Sequence, residues 1–271
     1  MSPLWRDEIG IHLAPRRVCM VRLGRGLRPK LLCEHEEQVE CGSAGKWEAA
    51  LVALDAVLGR SDWQGGAIRA VLADCWARYA IVPWVAELKS AHERLAHARQ
   101  LLAGTFGDAV GGWEVRLSEA PPTYRRIACA FPAELLEGLR AVCRKYGGRL
   151  VSLQPQLVVA YQNWRNALPP SGAWFVTVGE GTMAAARLGL QGWDRVHSVR
   201  IGAAWGLELK RLQVFGRLAG ANPDEGQVYV DAPHSWREVA GAKAENLHWL
   251  DEAADAHTTL ERLGRVRRLV A

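Results

Sequence analysis

Residues 173 to 201 carry the clearest strand pattern in the chain. Ala173 to Val178 is β-branched and aromatic, and Gly179-Glu180-Gly181 predicts a turn after it. Thr182 to Leu188 predicts a second strand, Gly189 to Gly192 a second turn, and Trp193 to Ile201 a third strand. A helical pattern follows from Ala204 to Leu218, then a strand from Gln227 to Asp231. The same order occurs near the N-terminus. Strands are expected over Glu8–Leu13, Arg17–Leu23 and Pro29–Val39, a helix over Ala44–Leu58 and a strand over Ala67–Ala73. A shift of 165 residues lays Arg22-Leu23-Gly24 on Arg187-Leu188-Gly189. The shared order of elements is the stronger sign of duplication, because repeats recur as whole units.

The stretch between the copies departs from the repeat. Arg78–Val82 predicts a short apolar strand ending at Pro83. Ser90 and Glu93 have capping-box spacing, and the helix they open should run to Phe106 and stop at Gly107. Trp113–Ser118 and Tyr124–Phe131 alternate as a hairpin around Ala120-Pro121-Pro122. Pro132 suits a first helical position, and that helix should end at Gly147-Gly148. Arg149–Leu153 predicts a buried strand and Gln156–Ala167 a helix. Leu168 to Gly172 is a linker. The expected organisation is a first half over 1–168, with an inserted subdomain at about 78–131, and a second half over 173–271.

Composition narrows the function classes. Hydrophobics at 49% and charges at 23% over 271 residues suit a globular protein of one large or two modest domains. No apolar run reaches membrane-spanning length, and the N-terminus lacks the apolar core of a secretory signal. None of the six cysteines stands in C-x-x-C spacing, which fits reduced thiols in a cytosolic protein. Net charge is +5, and the densest basic run is the tail, Arg262, Arg265, Arg267 and Arg268. That run fits a solvated helix end, or a contact with an anionic membrane surface. Twelve tryptophans are spread along the chain, most expected in packing and a minority at a partner interface.

Catalytic patterns are sparse. His92 and His97 are five residues apart, about 140° around a helix, so they do not share a face as a zinc pair would. Gly24 and Gly26 begin a G-x-G, but Pro29 stands where the third glycine belongs. Glu180 is a lone turn carboxylate. There is no G-x-S-x-G and no phosphate-binding P-loop.

Two β-β-β-α-β units with an insertion in the first resemble the actin-like ATPase superfamily. That is an α/β, ribonuclease H-like duplicated fold whose halves flank a cleft. Within it the chain is most similar to PilM-type proteins and the cytoplasmic domain of GspL (with MshI-like chains), the actin-like parts of type IV pilus and type II secretion inner-membrane platforms. The phrases that carry this are IGIHLAPRRVCMVRLGRGLRP, RYAIVPW before a capped helix, RLVSLQPQLVVAYQNW and WFVTVGEGTMAAARL. The resemblance covers most of residues 8–231.

The resemblance also implies a nucleotide site, and here the chain departs from it. Actin-like ATPases carry D-x-G at the first hairpin of each half, for hydrated magnesium and phosphate. The first copy here is His12-Leu13-Ala14 and the second Thr177-Val178-Gly179, with Thr182 retained. The late adenosine-side glycines are replaced by Ala232-Pro233. Magnesium prefers carboxylate oxygen, so these changes disfavour ATP and magnesium as cofactors. The resemblance then implies a non-enzymatic cytoplasmic scaffold, peripheral to the inner membrane. It would bind a PilN-like N-terminal peptide or dock an assembly ATPase. Ending at Ala271 without a membrane helix, the chain looks more like the free-standing PilM form. Trp76, Tyr79 and Trp84, flanking the strand before Pro83, are the candidate partner anchors. Two other readings stand beside this one: an ATP-binding actin-like ATPase with unusual ligands, and a basic nucleic-acid-binding protein.

Overall fold

The structure is a computed structural model. It describes residues 7–24, 26, 30–40, 47–179, 181–202, 205–219, 227–233 and 247–250. Pro29, Cys41, Ala44, Glu180 and Ala204, with Trp5, Trp236 and the basic tail, lie outside the described residues.

Two five-stranded sheets share one topology. In the first, β1 (Glu8–Ala14), β2 (Arg17–Leu23) and β3 (Leu31–Gln38) form an antiparallel meander. Helix α1 (Glu48–Leu58) leads to β4 (Ala67–Leu72), which returns parallel to β1. Two middle strands, β1 and β2, are buried at nearly every position because both faces are covered. Strand β3, at the edge, alternates between exposed and half-buried residues.

A separate sheet forms from the segment expected as an insertion. It holds β5 (Arg78–Val82), β6 (Trp113–Leu117) and β7 (Arg126–Pro132) in the order β5-β7-β6, with α2 (Ala91–Phe106) against it. Its core is Val82, Ala98, Leu102, Val110, Val115, Ala128 and Ala130. The capping box is present. Glu93 N–H donates to Ser90 Oγ at 3.1 Å, and Ser90 N–H to the Glu93 carboxylate at 2.8 Å. Gly107 ends the helix at φ 65°, in the left-handed region.

The capping box gives a prediction with a definite sign. The Ser90 backbone N–H, then its hydroxyl, holds the Glu93 carboxyl below its ordinary value of 4.5. The folded value lies below the unfolded one, so the stabilisation is complete above the unfolded value and fades as pH falls through the folded value. Glu93→Gln should therefore lower the melting temperature at neutral pH, and the difference should vanish in acid. A difference that persists below the whole carboxylate range would refute the assignment to charge.

Helix α3 (Ala133–Lys145) closes on α1, where a Cβ at Gly138 would lie 2.7 Å from Leu51 Cδ1. Lys145 Nζ reaches Asp55 at 2.8 Å across the same pair. Strand β8 (Arg149–Pro155) then adds parallel to β4, giving the order β3-β2-β1-β4-β8. Among the described residues the expected buried strand is an edge strand with one neighbour, and Val151 is 39% exposed. An apolar run alone does not separate a covered strand from an edge one. Helix α4 (Gln156–Trp164) is shorter than expected and packs Val159 on Cys19, Val21 and Val71.

The second five-stranded sheet repeats the plan. Strands β9 (Trp174–Gly179), β10 (Thr182–Gly189) and β11 (Gly192–Arg200) form the meander. Helix α5 (Gly206–Ala219) precedes β12 (Val228–Asp231), which lies parallel to β9. A three-residue strand, β13 (Leu247–Trp249), completes the order β11-β10-β9-β12-β13.

Two compact units result. The first holds β1–β4, α1, α3, β8 and α4. The second holds β5–β7, α2, β9–β13 and α5. The middle segment thus interrupts the first unit in sequence but packs with the second. Arg125 N–H donates to the Gln191 carbonyl at 3.0 Å, and Arg125 also pairs with Asp194. Gly192, at φ 92°, lets this contact close: a Cβ there would sit 3.2 Å from the Arg125 carbonyl oxygen.

Cys19 and Cys143 are buried, and Cys33, Cys75 and Cys129 half-buried. Burial pushes the Cys143 thiol up to about 11, which leaves it a weak nucleophile.

Candidate functional site

Five of the six positions that the resemblance assigns to a nucleotide site fall on the first hairpin of each meander, and the sixth, Ala232, follows β12. In the first unit, His12 lies on β1 opposite Cys19 and beside Val71. Ala14 pairs with Arg17 and closes a two-residue turn. His12 is 5% exposed and Ala14 1%. In the second unit, Gly179 pairs with Thr182 around an equally short turn, with Gly181 at φ 72°. Gly181 also accepts from Ile201 N–H at 2.9 Å. Thr182 is 5% exposed and Thr177 1%. The Thr177 hydroxyl donates to the Ala184 carbonyl at 3.4 Å, inside its own hairpin. Ala232 is fully buried just after β12. Gly179 and Thr182 therefore have a structural task in shaping the turn.

Two buried carboxylates join these positions, and neither was singled out as a site residue from sequence. Asp231, 2% exposed at the end of β12, is in register with Thr177 on the adjacent parallel strand. Asp74, 5% exposed, follows β4 in the first unit and accepts from Leu157 N–H at 3.1 Å. It thereby holds one of the unpaired backbone donors of the first turn of α4. An acid at the end of the fourth strand in both copies was the available sequence signal. Among the described residues, no three His, Cys, Asp or Glu side chains are grouped closely enough to hold a metal ion. His92 is exposed and His97 half-buried on α2.

The three aromatic candidates separate by burial. Trp76 is 3% exposed and Tyr79 8%. Both are packed inside and offer no face to a partner, which corrects their expected role. Trp76 belongs to the turn after β4, where its N–H donates to the Ala73 carbonyl at 3.2 Å. Tyr79 sits on β5 opposite Cys129 of the central strand β7. Trp84 is 44% exposed and is the one described tryptophan classed as exposed. The β5–β7 register ends at Val82 and Arg126, which leaves Trp84 and the 39%-exposed Tyr124 at the same end of that sheet. Leu190, 80% exposed, precedes the Gln191 carbonyl that accepts from Arg125. The second unit thus carries three exposed large apolar side chains, Trp84, Tyr124 and Leu190, around this end of the sheet.

No family model matches the chain, and no curated protein matches it in sequence. Solved structures do. The cytoplasmic domain of EpsL, an inner-membrane component of the type II secretion system of Vibrio cholerae, is 9% identical with a TM-score of 0.58. That match covers 98% of this chain and 95% of the other. A Bacteroides thetaiotaomicron protein with an actin-like ATPase fold is 11% identical at TM-score 0.63, covering 92% of each chain. A chain of the PilM–PilN type IV pilus biogenesis complex is 14% identical at TM-score 0.62, covering 90% of this chain and 88% of its own. The doubled sheet order and these likenesses together establish that this chain has the actin-like fold.

Proposed function

We propose that this protein is a non-enzymatic cytoplasmic scaffold of a type IV pilus or type II secretion-like inner-membrane platform. It binds a short segment of a membrane-anchored partner, such as a PilN-like N-terminal peptide. The observation that carries the reading is the state of the six nucleotide-site positions. His12, Ala14, Thr177, Thr182 and Ala232 are each at most 5% exposed, and none is a carboxylate. Gly179 closes a hairpin turn. His12, Ala14 and Ala232 carry no side-chain oxygen, and the Thr177 hydroxyl donates to the Ala184 carbonyl, so these positions offer hydrated magnesium no carboxylate. The near full-length likeness to the EpsL cytoplasmic domain and to PilM supports the platform setting. The exposed Trp84 patch supports partner binding, because aromatic anchors dominate such interfaces. No described helix is long and apolar enough to cross a membrane.

One observation favours the ATPase reading, namely that Asp231 lies beside Thr177. Titration calorimetry with millimolar ATP and magnesium separates the two. No saturable heat is expected. His12→Asp with Thr177→Asp should not create robust hydrolysis, because Ala232 and Pro233 still occupy the adenosine side. Micromolar ATP binding that is lost in Asp231→Ala would overturn the scaffold reading.

A further inference from the structure

Strand β3 (Leu31–Gln38) is the outer strand of the first sheet and, among the described residues, pairs with β2 alone. Val39 N–H donates to the Arg16 carbonyl at 2.7 Å. Backbone groups alternate in direction along an antiparallel strand. Glu37, His35 and Cys33 therefore direct theirs toward β2, while Glu34, Glu36 and Gln38 direct theirs away from the sheet. Side chains alternate too. His35 and Glu37 meet at 2.9 Å on the half-buried face, with Arg60 3.6 Å from Glu37. Glu34 and Glu36 stand exposed on the other face, and Leu32, two residues before Glu34, is 55% exposed. This acidic edge opposes the sign of the whole chain, whose net charge is +5.

We propose that β3 docks an extended, lysine- or arginine-bearing segment of another protein, which adds to the sheet beyond β3. The outward N–H and C=O groups would supply the ladder, and alternate side chains the specificity. A strand laid beside β3 sets residues two apart against Glu34 and Glu36, so basic residues at alternate positions are favoured. A second copy of this chain is a poor occupant. Two antiparallel β3 strands centred on this stretch would set carboxylate against carboxylate, and edge charges of one sign commonly prevent self-pairing. The inference stands apart from the scaffold reading.

The test uses the full chain and a labelled ten-residue peptide with lysine at alternate positions between valine and threonine, followed by fluorescence anisotropy. Saturable binding is expected, with a loss of about tenfold or more in Glu34→Lys/Glu36→Lys. A peptide with alternate amides N-methylated keeps its charge but loses its ladder donors, and it should bind at least as poorly. Amide exchange at Glu34, Glu36 and Gln38 should slow on binding. Should the reversed variant melt early, Glu34→Gln/Glu36→Gln replaces it. Absence of saturation, or binding indifferent to the charge change or to N-methylation, overturns the proposal. So does sedimentation showing that β3 pairs with a second copy. Trp84→Ala should leave this binding intact while weakening capture of a PilN-like peptide, so the two proposals fail separately.

Discussion

Trp76→Ala is expected to cost about 3–5 kcal/mol of stability, the range for emptying a buried aromatic site. Trp84→Ala, eight residues on, should stay within about 0.5 kcal/mol of the parent, as exposed substitutions do. The difference lies in burial, 3% against 44% exposed. Removing Trp76 leaves a cavity beside the turn that carries the buried Asp74, and close-packed surroundings relax only partly into such a space. Removing Trp84 leaves no cavity, because its exposed part faces water. The binding readout should run the other way. If Trp84 anchors a partner peptide, its truncation costs about 2 kcal/mol or more, roughly thirtyfold in the dissociation constant. Chemical denaturation and peptide pull-down on both variants give the comparison. Should Trp84→Ala lose melting temperature and binding together, that residue holds the fold and the patch must be abandoned.

Trp205→Ala is expected to have a comparable effect in the second unit, again about 3–5 kcal/mol. Trp205 is 1% exposed and packs among Trp174, Val176, Val178, Met183 and Val230. It meets Trp249 edge to face, with ring centroids 6.0 Å apart and planes at 79°. Such pairs add about 0.5–1.5 kcal/mol beyond area burial. Trp249 belongs to β13, which pairs with β12 through Val230. Loss of Trp205 should therefore loosen β13 as well, seen as faster amide exchange at Leu250, whose N–H donates to the Val230 carbonyl at 3.0 Å. Trp205→Phe keeps a ring in the site and should recover much of the loss. An unchanged melting temperature in Trp205→Ala would mean that α5 is not seated through this residue.

Local chemistry was legible in the chain. Short strand-like runs bounded by turn residues marked β1, β2, β9 and β10, and the sheets bury nearly every position in them. Ser90 and Glu93 marked the start of α2, because a capping box is complete within four residues. The doubled order of elements marked the actin-like fold, and the absence of a carboxylate at His12 and Thr177 was plain from the residues themselves.

Long-range packing was not legible. β5 spans five residues, too few for periodicity to tell the buried Trp76 and Tyr79 from the exposed Trp84. β13 has three residues, and it exists because β12 offers it an edge. The middle segment sits on the second unit through Arg125 with Gln191 and Asp194, contacts that join residues far apart in sequence. The pairing of β12 with β9 likewise sets Asp231 beside Thr177. A sequence records which side chains each strand carries. Register and neighbour choice settle which of them meet, and those are set by sheet hydrogen bonding and core packing across the whole chain.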